Sequence, residues 1–96
     1  MILEVAILNV IDSKQKQFEM DFDIAGQYIS SIKGYIKHSL NKCLEQKNKY
    51  ILLVEWDSLE DHTVSFRQSE QYQHWKKLLH HYYDPFPTVE HYERVL

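Results

Sequence analysis

Two segments of the chain are apolar at almost every position. Residues 2–10 read ILEVAILNV, and residues 50–56 read YILLVEW. Because successive side chains of a strand point to opposite sides, both faces of these two strands carry apolar groups. The pattern is typical of strands that are buried on two sides.

Two further strands are expected from weaker patterns. Residues 35–44 alternate, with Ile36, His38 and Leu40 on one face, as in a strand with one side in solvent. Residues 88–96 follow a break that contains two prolines and form the last predicted strand. The chain is therefore expected to contain four strands.

The segment between the first two strands has a helical pattern. Its apolar residues recur at steps of four, three and four positions, at Phe18, Phe22, Ala25 and Ile29. We expect this helix to begin after a cap at Asp12 and to run to about residue 32. Gly34 then follows as a terminator in the left-handed conformation.

A second helical region connects the last two strands. The pair Ser58-x-x-Asp61 predicts the start of a short helix over residues 59–68. A longer helix is expected over residues 69–83, and its buried stripe consists of Tyr72, Trp75, Leu79 and Tyr82. Both helices precede the last strand.

The order of these elements predicts an α+β fold. Strand, helix, strand, strand, helix, strand is the ferredoxin-like split β-α-β-β-α-β arrangement, with a four-stranded antiparallel sheet in the spatial order 4-1-3-2. One domain over residues 1–96 accounts for the chain. Its helices can cover only one sheet face, although the two inner strands are apolar on both. We therefore expect a homodimer that forms by sheet-on-sheet packing.

Composition and charge exclude several functional classes. The net charge is -3 with acidic and basic residues interleaved, which argues against a nucleic-acid partner. The two glycines, Gly26 and Gly34, lie in no phosphate-binding pattern, so no nucleotide cofactor is expected. No apolar run approaches the roughly 20 residues that cross a bilayer. The single Cys43 and the absence of a secretion-signal pattern lead us to expect a cytoplasmic protein.

The histidines do not form a recognisable metal-binding pattern. His80 and His81 are adjacent, so they point about 100° apart on a helix and cannot form a two-ligand face. No His-x-x-x-His spacing supplies a better pair. We expect no metal, and we place one residue of the pair at the mouth of a pocket or at the dimer contact.

Three segments of the chain resemble the antibiotic biosynthesis monooxygenase family. They are His62 to Arg67, Tyr72-x-x-Trp75 and His80 to Tyr92, and the resemblance spans essentially the whole chain. It implies a dimeric α+β barrel. Members of this family include cofactor-free oxygenases of quinol-like polyketides, quinol monooxygenases, haem-degrading enzymes and a sugar-phosphate isomerase. The residues of the site therefore have to indicate which reaction applies.

When the site residues of the polyketide oxygenases are transferred position by position, the resemblance implies that this sequence retains one of them. Their Trp at the end of the third strand corresponds to Trp56, and their Tyr six residues later corresponds to His62. Their Asn is replaced by Leu52, and a later Arg by Lys76. The iron-binding His of the haem-degrading branch also falls on Lys76, so haem is not expected.

His62 is the leading candidate for proton transfer. An oxygenase without a cofactor needs an ionised phenol or enol, and histidine titrates near neutral pH. A partly buried histidine bonded to a backbone carbonyl is the alternative. Glu4, which interrupts the first strand, is a reserve base or a solvated carboxylate. Trp56 joins His62 in the expected catalytic group, and the expected substrate-binding residues are Phe66, Trp75, Leu52, Glu4 and His80. Core packing is the alternative for the aromatic residues.

The sequence thus predicts a cofactor-independent monooxygenase. Its substrate would be a small phenolic, quinol or enol compound bound in an apolar pocket between sheet and helices. One alternative is a non-catalytic dimeric module that binds a small aromatic or enolic ligand. Another is an isomerase on the same fold.

Overall fold

The computed structural model describes all residues from Met1 to Leu96. It contains the predicted order of strands and helices, which confirms the α+β ferredoxin-like fold. The strands are β1 (Ile2–Asn9), β2 (Tyr35–Lys42), β3 (Lys49–Trp56) and β4 (Val89–Glu93). The helices are α1 (Gln15–Ser30) and α2 (Glu70–Leu79), with a π-helical segment (Asp61–Phe66) before α2 and a 3-10 turn (His80–Tyr82) after it.

The four strands form one antiparallel sheet in the order β2-β3-β1-β4. This is the predicted order 4-1-3-2. In the register of β1 and β3, Ile2 lies opposite Trp56, and Glu4 lies opposite His91 of β4. The two longest apolar segments are therefore the two inner strands, each of which is paired with a neighbouring strand along both edges.

The hydrophobic core lies between one face of the sheet and the two helices. The even-numbered residues of β1 and β3 point into it, and the predicted stripe of α1 is buried along its whole length. The core includes Ala6, Leu8, Leu52, Val54, Phe18, Phe22, Ala25, Ile29, Trp75 and Leu79. Each large side chain of this set contributes roughly 1.5–3 kcal/mol through burial, which holds the helices on the sheet.

The opposite face of the sheet has no helix over it. Its odd-numbered residues are partly exposed, and they include the cross-strand pairs Leu3 with Glu55, Val5 with Leu53, and Ile7 with Ile51. At its edge Lys37 Nζ lies 3.3 Å from a carboxylate oxygen of Glu55. The face is thus apolar at its centre and charged at its edge.

The ends of several elements differ from the predictions. The expected helix over residues 59–68 is a shorter π-helical segment, and the helix over residues 69–83 ends as a 3-10 turn. The last strand stops at Glu93. Asp12 does not cap α1, because its Oδ1 accepts hydrogen bonds from Ser13 N and from the side-chain Nε2 of Gln15, and not from a backbone N–H of the helix.

The prediction for one face of β2 was wrong at its first position. A register irregularity between Tyr35 and Lys37 shifts the alternation, so Tyr35 packs against the core and Ile36 is exposed. Tyr35 then shares the inner face with His38, and the phenol oxygen contacts Nδ1 of that imidazole. A bulge of this kind cannot be read from a pattern that alternates cleanly.

Candidate functional site

A cavity of about 380 Å³ opens between the inner sheet face and the helical layer. Six residues expected at the site lie along it: Glu4, Leu52, His62, Phe66, Trp75 and His80. The remaining lining residues are Ala6, Leu8, Arg67, Tyr72, Tyr83, Phe86, Pro87 and Val89. Trp56, which was expected in the catalytic group, does not reach the cavity and has no exposed surface.

The short π-helical segment carries His62 over the end of the sheet. The predicted capping box is present, since Ser58 N donates to Asp61 Oδ2 at 3.0 Å and Asp61 N donates to Ser58 Oγ at 3.3 Å. His62 and Phe66 are both buried. The paired caps determine where this segment begins, and therefore which of its side chains face inward.

Gly34 lies close to the start of the same segment. Its φ is +94°, and a Cβ atom at this position would lie 2.1 Å from Cγ of Asp61. The backbone oxygen of Gly34 also accepts a hydrogen bond from Asp57 N at 2.8 Å. Gly34 has the predicted left-handed conformation, but it does not terminate α1, which ends at Ser30. Its missing side chain instead leaves room for the capping carboxylate of Asp61.

Glu4 is held at the inner end of the cavity by Trp56. Trp56 Nε1 donates a hydrogen bond to Glu4 Oε1 at 2.9 Å, and only 4% of Glu4 is exposed. The indole also stacks on the imidazole of His62, with centroids 5.4 Å apart and an interplanar angle of 23°. Trp56 thus orients both polar groups from behind the cavity wall.

The imidazole of His62 lies between a carboxyl and a second imidazole. Its Nε2 is 3.4 Å from Glu4 Oε1, and its Nδ1 is 2.7 Å from His91 Nε2. The second distance is that of a hydrogen bond, and the first is slightly longer than one. His91 is only partly buried and lies outside the cavity lining.

Burial changes the acidity of this cluster in opposite directions. Desolvation raises the pKa of Glu4 to about 7, although the Trp56 hydrogen bond and the charge of Arg67 both oppose the rise. Desolvation, Arg67 and His91 together lower the pKa of His62 to about 3. The close contact is therefore between a carboxyl and a neutral imidazole, because burial disfavours both charges more than their attraction compensates. The Glu4 carboxyl therefore changes its charge near neutral pH.

Arg67 adds a positive charge to the cavity. Its side chain lines the cavity, the residue is largely exposed, and no carboxylate lies within ion-pair distance of its guanidinium. Its charge acts on Glu4, His62 and His91. An anion formed in the cavity would be favoured by this charge.

The other end of the cavity is aromatic. Phe86 lies with its ring centroid 4.9 Å from that of His80 and 6.1 Å from that of Tyr83. Burial, followed by the charge of Lys76, lowers the pKa of His80, and burial raises that of Tyr83. This end therefore presents uncharged aromatic rings at neutral pH, and a planar organic ligand can pack against them.

His91 and Arg67 were not among the expected site residues. No signal along the chain links His91 to Glu4, since 86 residues separate them and only the register of β4 against β1 brings them together. Arg67 directly follows the segment that carries His62, so its position was a usable signal. The structure contains no group of three or more potential metal ligands and no helix that is long and apolar enough to cross a membrane.

Comparisons with known proteins agree on one family. The family model described as antibiotic biosynthesis monooxygenase matches residues 1–78. The uncharacterized protein YczJ of Bacillus subtilis (strain 168) is 54% identical over 95 residues, which cover 99% of this chain and 100% of that protein. The family model's range of residues 1–78 includes Glu4, Trp56, His62 and Arg67, whereas His91 lies beyond it.

Solved structures show the same fold. The crystal structure of an antibiotic biosynthesis monooxygenase-family protein from Bordetella bronchiseptica is 30% identical, with a TM-score of 0.94 and coverage of 99% and 97% of the two chains. SnoaB, a cofactor-independent oxygenase from Streptomyces nogalater, is 18% identical, with a TM-score of 0.73 and coverage of 99% and 94%. The second likeness concerns the fold alone.

Proposed function

Because this chain belongs to the antibiotic biosynthesis monooxygenase family, we propose that it is a cofactor-independent monooxygenase. Its substrate would be a small phenol, quinol or enol. The name of SnoaB, a cofactor-independent oxygenase with the same fold, supports this class of reaction. The observation that carries the proposal is the buried Glu4 carboxyl, which reaches the cavity beside His62.

The proposed reaction begins with proton removal. The Glu4 carboxylate takes the proton of the substrate hydroxyl, and the resulting anion transfers one electron to dioxygen. Recombination of the two radicals forms a carbon–oxygen bond and a peroxide, which takes the proton back from Glu4. Loss of the C–H proton and of hydroxide then leaves a carbonyl group and water. The substrate supplies all four electrons that reduce dioxygen to the carbonyl oxygen and water, so the balance requires no other reductant.

We assign proton removal to Glu4 and hydrogen bonding to His62. The sequence favoured His62 as base, but a pKa of about 3 makes this imidazole a weak proton acceptor at neutral pH. A carboxyl with a pKa of about 7 is matched to the task. Trp56 contributes by orienting Glu4 through its 2.9 Å hydrogen bond.

The remaining lining residues would bind and polarise the substrate. Phe66 and Trp75 are in edge contact, with centroids 5.7 Å apart, and Leu52 and His80 also line the cavity. They provide apolar and aromatic surface for a planar ring. The positive charge of Arg67 would stabilise the phenolate or enolate that donates the electron.

Oxygen uptake by the purified protein with a panel of quinols tests the proposal. We expect uptake with at least one quinol, and a loss of about 100-fold or more in Glu4→Gln, which keeps the shape of the side chain but cannot accept the proton. His62→Ala is expected to lower the rate less. Glu55→Gln on the outer sheet face is the matched control and should retain the rate. No uptake across the panel, or full activity in Glu4→Gln, would overturn the assignment.

The same carboxyl also suits an isomerase, which is the second candidate function. A buried Glu4 beside an imidazole can move a proton from one carbon or oxygen to another without oxygen. Conversion of substrate under argon at the rate measured in air would identify this class. Binding of a quinol without any conversion would instead identify a ligand-binding module.

We also propose that two copies pack through their outer sheet faces. Leu3, Val5, Ile51 and Leu53 form an apolar centre there that the chain's own helices leave uncovered. Wild type should then sediment as a dimer, and Leu53→Lys as a monomer. A monomeric wild type would exclude this arrangement.

We further propose a cytoplasmic location, which rests on the single thiol, Cys43.

A further inference from the structure

His62 uses its two ring nitrogens toward two different partners. Nε2 faces Glu4 Oε1 at 3.4 Å, and Nδ1 is hydrogen-bonded to His91 Nε2 at 2.7 Å. The imidazole therefore bridges the buried carboxyl on one side and the partly exposed histidine on the other. A ring placed in this way can accept a proton at one nitrogen and release one at the other.

The position of His91 follows from the sheet. It lies directly opposite Glu4 in the register of β1 and β4, so both side chains project from the same face, and the His91 ring centroid is 5.0 Å from that of His62. Its Nε2 is used by His62, while no protein group bonds its Nδ1. His91 thus connects the buried pair with the edge of the molecule, outside the cavity.

We propose that Glu4, His62 and His91 form a proton relay through which the buried carboxyl exchanges protons with solvent without using the cavity. His91 would be a positioning residue that acts through His62. The role of Glu4 in removing the substrate proton rests on the proposed function above, whereas the relay itself does not. Its value would be that a Glu4 carboxyl still protonated when a ligand binds can lose that proton while the ligand occupies the cavity.

The relay transfers one proton in three coupled steps. The Glu4 carboxyl gives its proton to His62 Nε2, His62 Nδ1 gives its proton to His91 Nε2, and His91 Nδ1 gives its proton to water. Each imidazole starts and ends neutral and changes tautomer, and the hydrogen bond between the rings is present before and after with its direction reversed. The reverse sequence brings a proton in. The 3.4 Å gap requires a small side-chain rotation, as is common before a ligand binds.

The charges around His62 favour transfer over storage of a proton. Glu4 faces it from β1, His91 from β4, and Arg67 from the residue after the π-helical segment, whereas Trp56 on β3 carries no charge. Arg67 disfavours a protonated state of either histidine. A doubly protonated imidazole is therefore unstable here, and protons pass by exchange of tautomers.

Exchange of the His62 ring proton with water tests the relay independently of any reaction. The measurement is made by NMR on protein with 15N-labelled histidine, in wild type, His91→Gln and His91→Phe. The amide of Gln can keep a hydrogen bond to His62 Nδ1 but cannot pass a proton on. We expect exchange at His62 to slow at least about 10-fold in both variants. His74→Gln, at a histidine stacked on Tyr28 in another part of the molecule, is the matched control and should leave the exchange unchanged.

The direction of the change separates a relay from a structural role. If His91 only supported His62, the loss of its hydrogen bond in His91→Phe would expose the ring and accelerate exchange. Unchanged or faster exchange in both variants would overturn the proposal.

A kinetic arm distinguishes failure of the relay from failure of the proposed reaction. For a quinol that wild type oxidises, His91→Gln should lower kcat with little change in KM, and free imidazole in the buffer should restore part of the loss. Slow exchange in the variants combined with no oxygen uptake by wild type would leave the relay standing and remove the monooxygenase. Normal oxygen uptake by wild type combined with unchanged exchange in the variants would support the monooxygenase and overturn the relay.

Discussion

The same residue type has opposite surroundings on the two faces of the sheet. Glu4 and Glu55 lie on neighbouring strands, since Leu3 is the partner of Glu55 and the next residue is Glu4. Glu4 points inward, is 4% exposed and is bonded to an indole, whereas Glu55 points outward and pairs with Lys37. One step along a strand thus separates a buried carboxyl with a raised pKa from a carboxylate in a surface ion pair.

The difference between the two carboxyls comes from burial and not from residue type. On the inner face, desolvation is the largest influence on Glu4 and His62, and the neighbouring groups modify it. On the outer face, water screens the attraction between Lys37 and Glu55. Four experiments would break or sharpen this contrast.

Removal of the indole that supports the inner face should have the largest effect. Trp56→Ala opens a cavity at a fully buried position and leaves Glu4 without its donor, so we expect a loss of about 3–5 kcal/mol in the free energy of unfolding. Urea denaturation followed by circular dichroism measures it. Ile36→Ala, at an exposed position of β2, should cost less than about 0.5 kcal/mol. Similar losses in the two variants would show that the inner face is not the main source of stability.

The pH dependence of stability should reveal the buried carboxyl. Because folding raises the pKa of Glu4 from 4.5 to about 7, the folded state holds the proton more tightly in this window. Stability from this residue is therefore present below pH 4.5 and is lost as the pH rises to about 7, by about 3 kcal/mol. We expect wild type to lose this amount relative to Glu4→Gln in urea titrations at a series of pH values. Parallel curves for wild type and Glu4→Gln would contradict the shift.

The glycine below the π-helical segment should be sensitive to a single methyl group. Gly34→Ala forces an alanine into a positive φ and against the carboxylate of Asp61, so we expect a loss of about 1–3 kcal/mol. The substitution should also displace His62, which is visible as a change in its NMR signals. Gly26→Ala in α1 is the matched control. Its added carbon would approach only the His38 ring, at 3.5 Å, and we expect a gain of about 0.5–1 kcal/mol. Equal effects at the two glycines would show that the lack of room beside Asp61 does not determine the cost of Gly34→Ala.

The ion pair of the outer face should contribute least. Lys37 and Glu55 are 3.3 Å apart with side chains 73% and 25% exposed, so a double-mutant cycle with Lys37→Ala and Glu55→Ala should give a coupling of about 0.2–1 kcal/mol. The coupling should decrease in 1 M salt. A coupling as large as that of a buried pair would show that the outer face is covered in solution, in agreement with the proposed dimer.

The sequence by itself determined the order of the elements and, outside the start of β2, the faces on which strand residues lie. Strand parity puts Glu4 on the same face of β1 as Ala6 and Leu8, and the pair Ser58-x-x-Asp61 predicts where the segment that carries His62 begins. These signals are local, because side-chain direction in a strand and the start of a helix depend on residues within a few positions.

Only the tertiary structure decided which of these residues meet. Trp56 comes next to Glu4 through the register of β3, and His91 comes opposite Glu4 through the register of β4. The bulge after Tyr35 and the pKa of Glu4 also depend on packing between distant segments. The physical reason is that hydrogen-bond register and desolvation are properties of the assembled layers, whereas periodicity is a property of the chain.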